Sequence, residues 1–263
     1  MILLIPALSQ LGAQDRFFAR TYTTNVLPKG AIDLEFWHTS RFGHRDQFFH
    51  AQDQRMEIEI GLGGNLQTAF YFNRYQQRLS NTFNGTTVSN EIGFSNEWKW
   101  RIKQPVGKKT GVAFYGEWGI KGGDELELET KIILDKTAGK NLFAFNGVVE
   151  YEKEFEWENG KLHSGKWELP VEFDLAWLYN LKPALGLGFE IRNYNKISKV
   201  EGWEHSVFFG GPTINFRGIG WFVIANYLPQ WVNVHKTGVA PFHKVLDEHE
   251  KVEARILLGI SLR

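Results

Sequence analysis

Cysteine is missing altogether from the 263 residues. No disulfide, thiolate metal site or cysteine nucleophile is therefore available. A chain that crosses an oxidising periplasm unfolded gains from that absence, because no stray disulfide can form, although cytosolic proteins also do without cysteine. Net charge is missing too: thirty Lys and Arg balance thirty Asp and Glu. That rules out the basic excess of a nucleic-acid binder. No segment approaches the ~18 uninterrupted apolar residues of a membrane helix, which leaves a barrel as the only membrane option. No linker, low-complexity tract or shift in composition divides the chain, so one domain is read. Heptads and helical stripes of useful length are absent as well.

What is present is a two-residue beat repeated about a dozen times. Ile32, Leu34 and Phe36 alternate with Asp33, Glu35 and Trp37. Met56, Ile58, Ile60 and Leu62 alternate with Arg55, Glu57 and Glu59, and Phe94, Trp98, Trp100 and Ile102 with Glu97, Lys99 and Arg101. Side chains of a strand point to opposite faces in turn, so each segment has one apolar and one charged face. A soluble sandwich would bury the apolar face. Segments of roughly 9–12 residues favour a membrane barrel, whose apolar face meets lipid while the charged face lines the interior. Aromatic residues make up 15% of the chain and fit the girdles at the two membrane surfaces.

About twelve strands are expected, near 31–41, 54–62, 66–75, 91–102, 111–121, 126–135, 142–157, 167–178, 184–194, 205–215, 220–230 and 251–262. Short connections rich in turn formers follow the even strands. Most of the others are longer: 42–53, 76–90, 158–166, 195–204 and 231–250. Short turns at one end and long loops at the other is the outer-membrane arrangement. Pro170 and Pro212 fall inside strands and predict bulges or strand ends. The fold read from the sequence is all-β: a single antiparallel up-and-down transmembrane β-barrel of about twelve strands over 31–263. Residues 1–14 read as a signal peptide, and 15–30 as an N-terminal segment that is either periplasmic or lumenal, in the second case as a partial plug.

The opening Tyr22-Thr23-Thr24, Leu27-Pro28-Lys29-Gly30 and Asp33-Leu34-Glu35-Phe36-Trp37, with Arg55–Glu59 and Leu66–Tyr71, resembles a family of uncharacterised Gram-negative outer-membrane barrels. The resemblance implies a location in the bacterial outer membrane and contact with its lipid bilayer. It also implies insertion by the barrel-assembly machinery. It carries no functional residues. The last residues, Ile260-Ser261-Leu262-Arg263, lack the terminal aromatic usual in such barrels.

Alternation assigns the inward, lumen-lining face to Glu35, Glu57, Glu59, Glu97, Lys99, Arg101, Glu117, Glu127, Glu129, Glu150, Glu152, Glu168, Glu172, Asp174, Glu190, Arg192, Glu253 and Arg255. The carboxylates of strands six to eight form an acidic wall; the bases fall mainly elsewhere. Either the lumen holds water and passes small cationic or dipolar solutes, or it is narrow and its charges pair into a closed network. The excess of acid over base leaves pairing incomplete and favours water or a bound cation. The expected role is a passive porin-like channel.

Two rivals stand beside it. One is a closed barrel whose outer loops bind a partner or surface ligand. The other is a lipid hydrolase using Ser40 and His38, two apart on the lipid face of the first strand, a spacing similar to the catalytic pair of outer-membrane phospholipases. In it, Gln54 is the nearest polar residue for the third role. Two polar residues at the bilayer interface is the simpler reading. His44, His50, His235, His243 and His249, with Asp46, Asp53 and Asp247, fall in loops that a closed barrel makes neighbours, but their spacing matches no ligand pattern. No metal or cofactor is predicted.

Overall fold

A computed structural model describes residues 16–81, 85–107, 109–158, 161–236, 243–246 and 249–262. The expected signal peptide and Asp247 lie outside the described residues. Twelve strands form one closed antiparallel barrel in chain order. They are β1 Ile32–Phe42, β2 Phe48–Gly63, β3 Leu66–Asn81, β4 Gly85–Lys103, β5 Gly111–Lys121, β6 Glu125–Ala138, β7 Asn141–Glu158, β8 Lys161–Lys182, β9 Leu185–Ser198, β10 Gly202–Gly218, β11 Trp221–Lys236 and β12 Val252–Ser261. Closure comes from β1 against β12, with Asp33 opposite Ser261 and Phe42 opposite Val252. No helix occurs among the described residues.

The polarity is inverted relative to a water-soluble fold. Trp98 and Trp100, Phe173 and Leu175, and Ile256 on β12 face outward and are exposed. Glu35, Glu57 and Glu97 face inward and are wholly buried. Near the short-turn end, Trp100, Phe114, Phe143, Trp177, Phe216 and Trp221 make an exposed outer ring, the girdle expected where strands cross a membrane surface. The architecture is that of a transmembrane β-barrel.

One feature differs from the sequence reading. Connections expected to be long are mostly strand: β3 and β4 continue to Asn81 and from Gly85, and β7 and β8 to Glu158 and from Lys161. Beyond the apolar layer both faces of a strand meet water, so the alternation that marks a strand fades while the ladder continues. Only the connection between β11 and β12 is long. Pro170 and Pro212 stay within β8 and β10. Each removes a ladder donor, and β-bulges lie near both, at Lys153/Phe155 and at Phe208/Phe209.

Candidate functional site

The lumen is divided by height, and the N-terminal segment does the dividing. Between Arg16 and Gly30 the chain crosses the short-turn half of the barrel before entering β1. It has no strand partner, so its backbone donors need acceptors from the wall. Glu190 on β9 supplies most: its carboxylate accepts from the amides of Ala19 (3.2 Å), Arg20 (3.0 Å) and Thr21 (3.0 Å) and from the Thr21 hydroxyl (3.2 Å). Asn146 accepts from the Tyr22 amide at 2.7 Å and donates to the Tyr22 carbonyl at 3.0 Å. Asp135 accepts from the Thr24 amide and hydroxyl, both at 2.9 Å, and Gln67 from the Leu27 amide at 2.8 Å. Phe18 seats in an apolar pocket of Leu142, Ala144, Ala176 and Leu178.

Two glycines make room for this segment. A Cβ on Gly61 would collide with the Pro28 carbonyl oxygen, where the segment leaves along β2. One on Gly111 would displace the Asp135–Thr24 contact.

The segment also brings charge. The Arg16 guanidinium lies 3.4 Å from the centroid of the Tyr22 ring and 4.5 Å from that of Trp37, with Glu35 at 3.7 Å and Glu57 at 4.0 Å. Lys131 caps the Tyr22 ring at 4.2 Å. Arg20 reaches Glu172 at 2.5 Å, Glu253 at 3.1 Å and Asp174 at 3.5 Å. Burial works against the Arg20 charge, but Glu172, Glu253 and Asp174 outweigh it and hold the guanidinium protonated beyond its ordinary range.

Above the segment lies a cavity of about 570 Å³. Ten carboxylates and seven Lys or Arg side chains line it. Arg20 and Tyr22 are its floor. On one side Glu127, Glu129, Glu150 and Glu152 continue the acidic wall. On the other stand Arg41, Arg192 and Arg255, tied into pairs: Arg41 with Asp53 at 2.9 Å, Arg192 with Glu172 at 2.6 Å and with Glu253 at 3.2 Å. Glu150 and Glu152 make no ion pair among the described residues.

The residues assigned inward by alternation therefore fall into three groups. Glu35, Glu57, Glu59, Glu97, Lys99 and Glu190 are at most 1% exposed and lie in the half crossed by the segment. Glu117, Glu127, Glu129, Glu150, Glu152, Glu172, Asp174, Arg192, Glu253 and Arg255 line the cavity. Arg101 and Glu168 sit at opposite rims, bonded to Asn65 at 2.7 Å and paired with Lys196 at 2.8 Å. Carboxylate oxygens of Glu57, Glu59 and Glu97 lie within 4.8 Å of one another, as do those of Glu125, Glu127 and Glu152. These are the groups that could hold a cation. Asp135, Asn146 and Gln67 went unassigned in the sequence, although they share the parity of the inward glutamates.

The histidines do not gather at the mouth. His44 stacks on Phe49, His50 sits edge-on to Phe42, and His235 stacks on Trp203. His249 instead meets the buried His205 of β10, ring nitrogens 2.5 Å apart. The described residues of the last loop, 243–246 and 249–251, thus turn inward. Val245 packs on Val207, Phe209 and Leu228, and Glu250 lies 3.7 Å from Arg192. His38 and Ser40 stand on the outer face, with His38 Nε2 and Ser40 Oγ 3.1 Å apart and Gln54 opposite His38 on β2.

A family model described as a family of unknown function, DUF6662, matches residues 10–262. No curated protein matches the chain in sequence. Among solved structures the chain is similar to the COG4313 outer membrane channel from Pseudomonas putida F1. The identity is 10% and the TM-score 0.62, over 90% of this chain and 97% of that one. It is similar to the β domain of the Bordetella autotransporter BrkA (8% identity, TM-score 0.59, 89% and 100% covered). It is also similar to the NanC porin (12%, 0.50, 89% and 100%). At such identities the likeness is one of fold.

Proposed function

The chain belongs to the family of unknown function DUF6662, and we propose that it is a passive channel of the bacterial outer membrane for small cationic or dipolar solutes, closed at its periplasmic end by its own N-terminal segment. The observation that carries this reading is the charged, roomy cavity inside a barrel whose outside is apolar. Burying an ion costs several kcal/mol unless it is paired or hydrated. The Glu150 and Glu152 carboxyls make no ion pair among the described residues, which supports a cavity that holds water or a cation. Acid in excess over base biases it toward cations. The even strand number puts both barrel termini at the short-turn end, which on this reading faces the periplasm. The partners are the lipid bilayer, the barrel-assembly machinery and the solute.

Planar-bilayer recording of the purified chain tests the proposal. Cation-selective openings, more frequent when the segment's anchors are removed, support it. A folded protein that stays silent with its anchors removed favours the rival in which a closed barrel binds a partner through its outer loops.

One observation favours a second reading. His38 is within hydrogen-bond distance of Ser40 on the lipid face, where a histidine base can activate a serine toward an acyl ester. Fatty-acid release from phospholipid vesicles that is lost in Ser40→Ala supports it; a native protein without turnover ends it.

A further inference from the structure

We propose that the carboxylates around Arg20 form a binding site for solutes bearing a guanidinium or primary ammonium group, and that Arg20 occupies this site as a tethered stand-in which the solute displaces. The idea rests on the channel reading for its route of entry, but the site itself is a matter of binding.

The site is assembled from two parts of the wall. Glu172 and Asp174 come from β8 and Glu253 from β12, four strands apart around the wall, and Arg192 of β9 draws Glu172 and Glu253 together. The three carboxylates converge on one guanidinium, with Nη2 donating to Glu172, Nη1 to Glu253, and Asp174 an ion pair 3.5 Å from Nε. A planar, multi-donor cation matches such an array better than a spherical ion does.

Two of the three carboxylates, Glu172 and Glu253, do not depend on Arg20 for their positions, whereas Asp174 pairs with Arg20 alone among the described residues. Arg192 holds Glu172 through Nη2 at 2.6 Å and Nε at 3.1 Å, and Glu253 through Nη1 at 3.2 Å. Arg255 is 3.8 Å from Glu253. If Arg20 swings away, three carboxylates remain against these two arginines, and the site still calls for one cation.

Arg20 is also the plug side chain best placed to be exchanged. Arg16 is sealed at 1% exposure, whereas the Arg20 side chain retains 14% and forms part of the cavity floor. The cavity runs from it past Glu150 and Glu152 to Gln77 and Glu91 toward the far end of the barrel. A solute entering there meets hydrated carboxylates first and the Arg20 site at the bottom. Displacement of the guanidinium removes one anchor of the segment and leaves the Glu190 contacts to the backbone in place. Occupancy of the site is therefore the first step in loosening the plug.

Calorimetric titration of the full chain in detergent with agmatine, which carries a guanidinium and an ammonium group, tests the site without any transport. Arg20→Ala removes the resident cation and should bind agmatine at least about tenfold more tightly than the native chain. Adding Glu172→Gln to that variant should abolish the gain. Neutral butylurea should not bind either protein. Should Arg20→Ala fail to fold, as judged by loss of heat-modifiable migration, Arg20→Gln is titrated with the same expectations. Equal affinity in native and variant chains overturns the proposal, as does tight binding that survives Glu172→Gln. Conductance recorded on the same samples separates the two ideas. Binding without conductance keeps the site and removes the channel; conductance without binding does the reverse.

Discussion

Glu190 and Glu152 are the same residue type, both inward-facing on long strands, and they do opposite things. Glu190, in the half crossed by the N-terminal segment, accepts from three successive backbone amides and is 1% exposed. Glu152, farther from the short turns, looks into the cavity and makes no ion pair among the described residues. The alternation that places them is identical. What differs is what arrives from the lumen side: peptide donors in one half, open cavity in the other. A charged interior face is thus not itself a pore or a plug. Of the two readings that compete in the sequence, the closed network describes the half crossed by the segment, and the open cavity of the other half is where a hydrated lumen is proposed.

The largest effect should come from making the two halves alike. Arg16→Ala with Arg20→Ala strips the segment of both charges that answer the wall carboxylates. We expect single-channel current to rise several-fold over the native chain, with longer openings. Unchanged current would mean that the segment is held by its backbone contacts alone.

Next comes Glu190→Ala, which leaves the Ala19, Arg20 and Thr21 amides without their acceptor. A hydrogen bond to a charged group is worth about 1.5–3 kcal/mol, so those amides should lose about two orders of magnitude of hydrogen-exchange protection. The β-ladder amides should keep theirs. Uniform loss throughout the barrel would show that Glu190 supports the wall and not the plug.

On the cavity side, Glu150→Gln with Glu152→Gln should leave that protection intact and reduce the preference for cations over anions, by about two- to five-fold in permeability ratio. A shift in plug protection would erase the distinction between the halves.

The smallest effect is expected at the far rim. Burial opposes the Glu250 charge, but neighbouring His249, Arg41 and Arg192 outweigh it and hold the carboxyl well below its usual range. A depressed carboxyl contributes stability above its unfolded value of about 4.3, and that contribution fades only as pH falls through the folded value. The Glu250 contribution to docking of the last loop should therefore be unchanged from about pH 7 to about pH 5, and any release there belongs to protonation at the His249–His205 contact. Tryptophan fluorescence of a Val245→Trp variant would report it. Release within that window that is absent in Glu250→Gln would contradict the role given to Glu250.

The barrel was legible because its signal is local: two-residue alternation needs only the chain's own neighbours. The strand extensions at Gln76–Asn81 and Gly85–Asn90 were not, because a strand with water on both faces has no apolar stripe. The plug's anchors were hidden for a different reason. Ala19 and Glu190 are 171 positions apart, and a segment without regular structure carries no period to announce its partners. Polar inward positions such as Asp135 and Asn146 were a usable hint. They repeat the parity of the glutamates deep in the barrel, where only a second piece of chain could satisfy them. His205 was missed as the partner of His249 because it lies in a strand, whereas the histidines considered together were those of the loops.

The central claim is that the N-terminal segment closes one half of the lumen, and the absence of cysteine allows a clean test. Thr24→Cys with Asp135→Cys places two thiols where a hydroxyl and a carboxylate now meet at 2.9 Å. Single-channel recording of that variant before and after reduction is the most direct measurement. The account predicts near silence while the disulfide holds the segment and openings once it is reduced. Steady, equal currents in both states would contradict it.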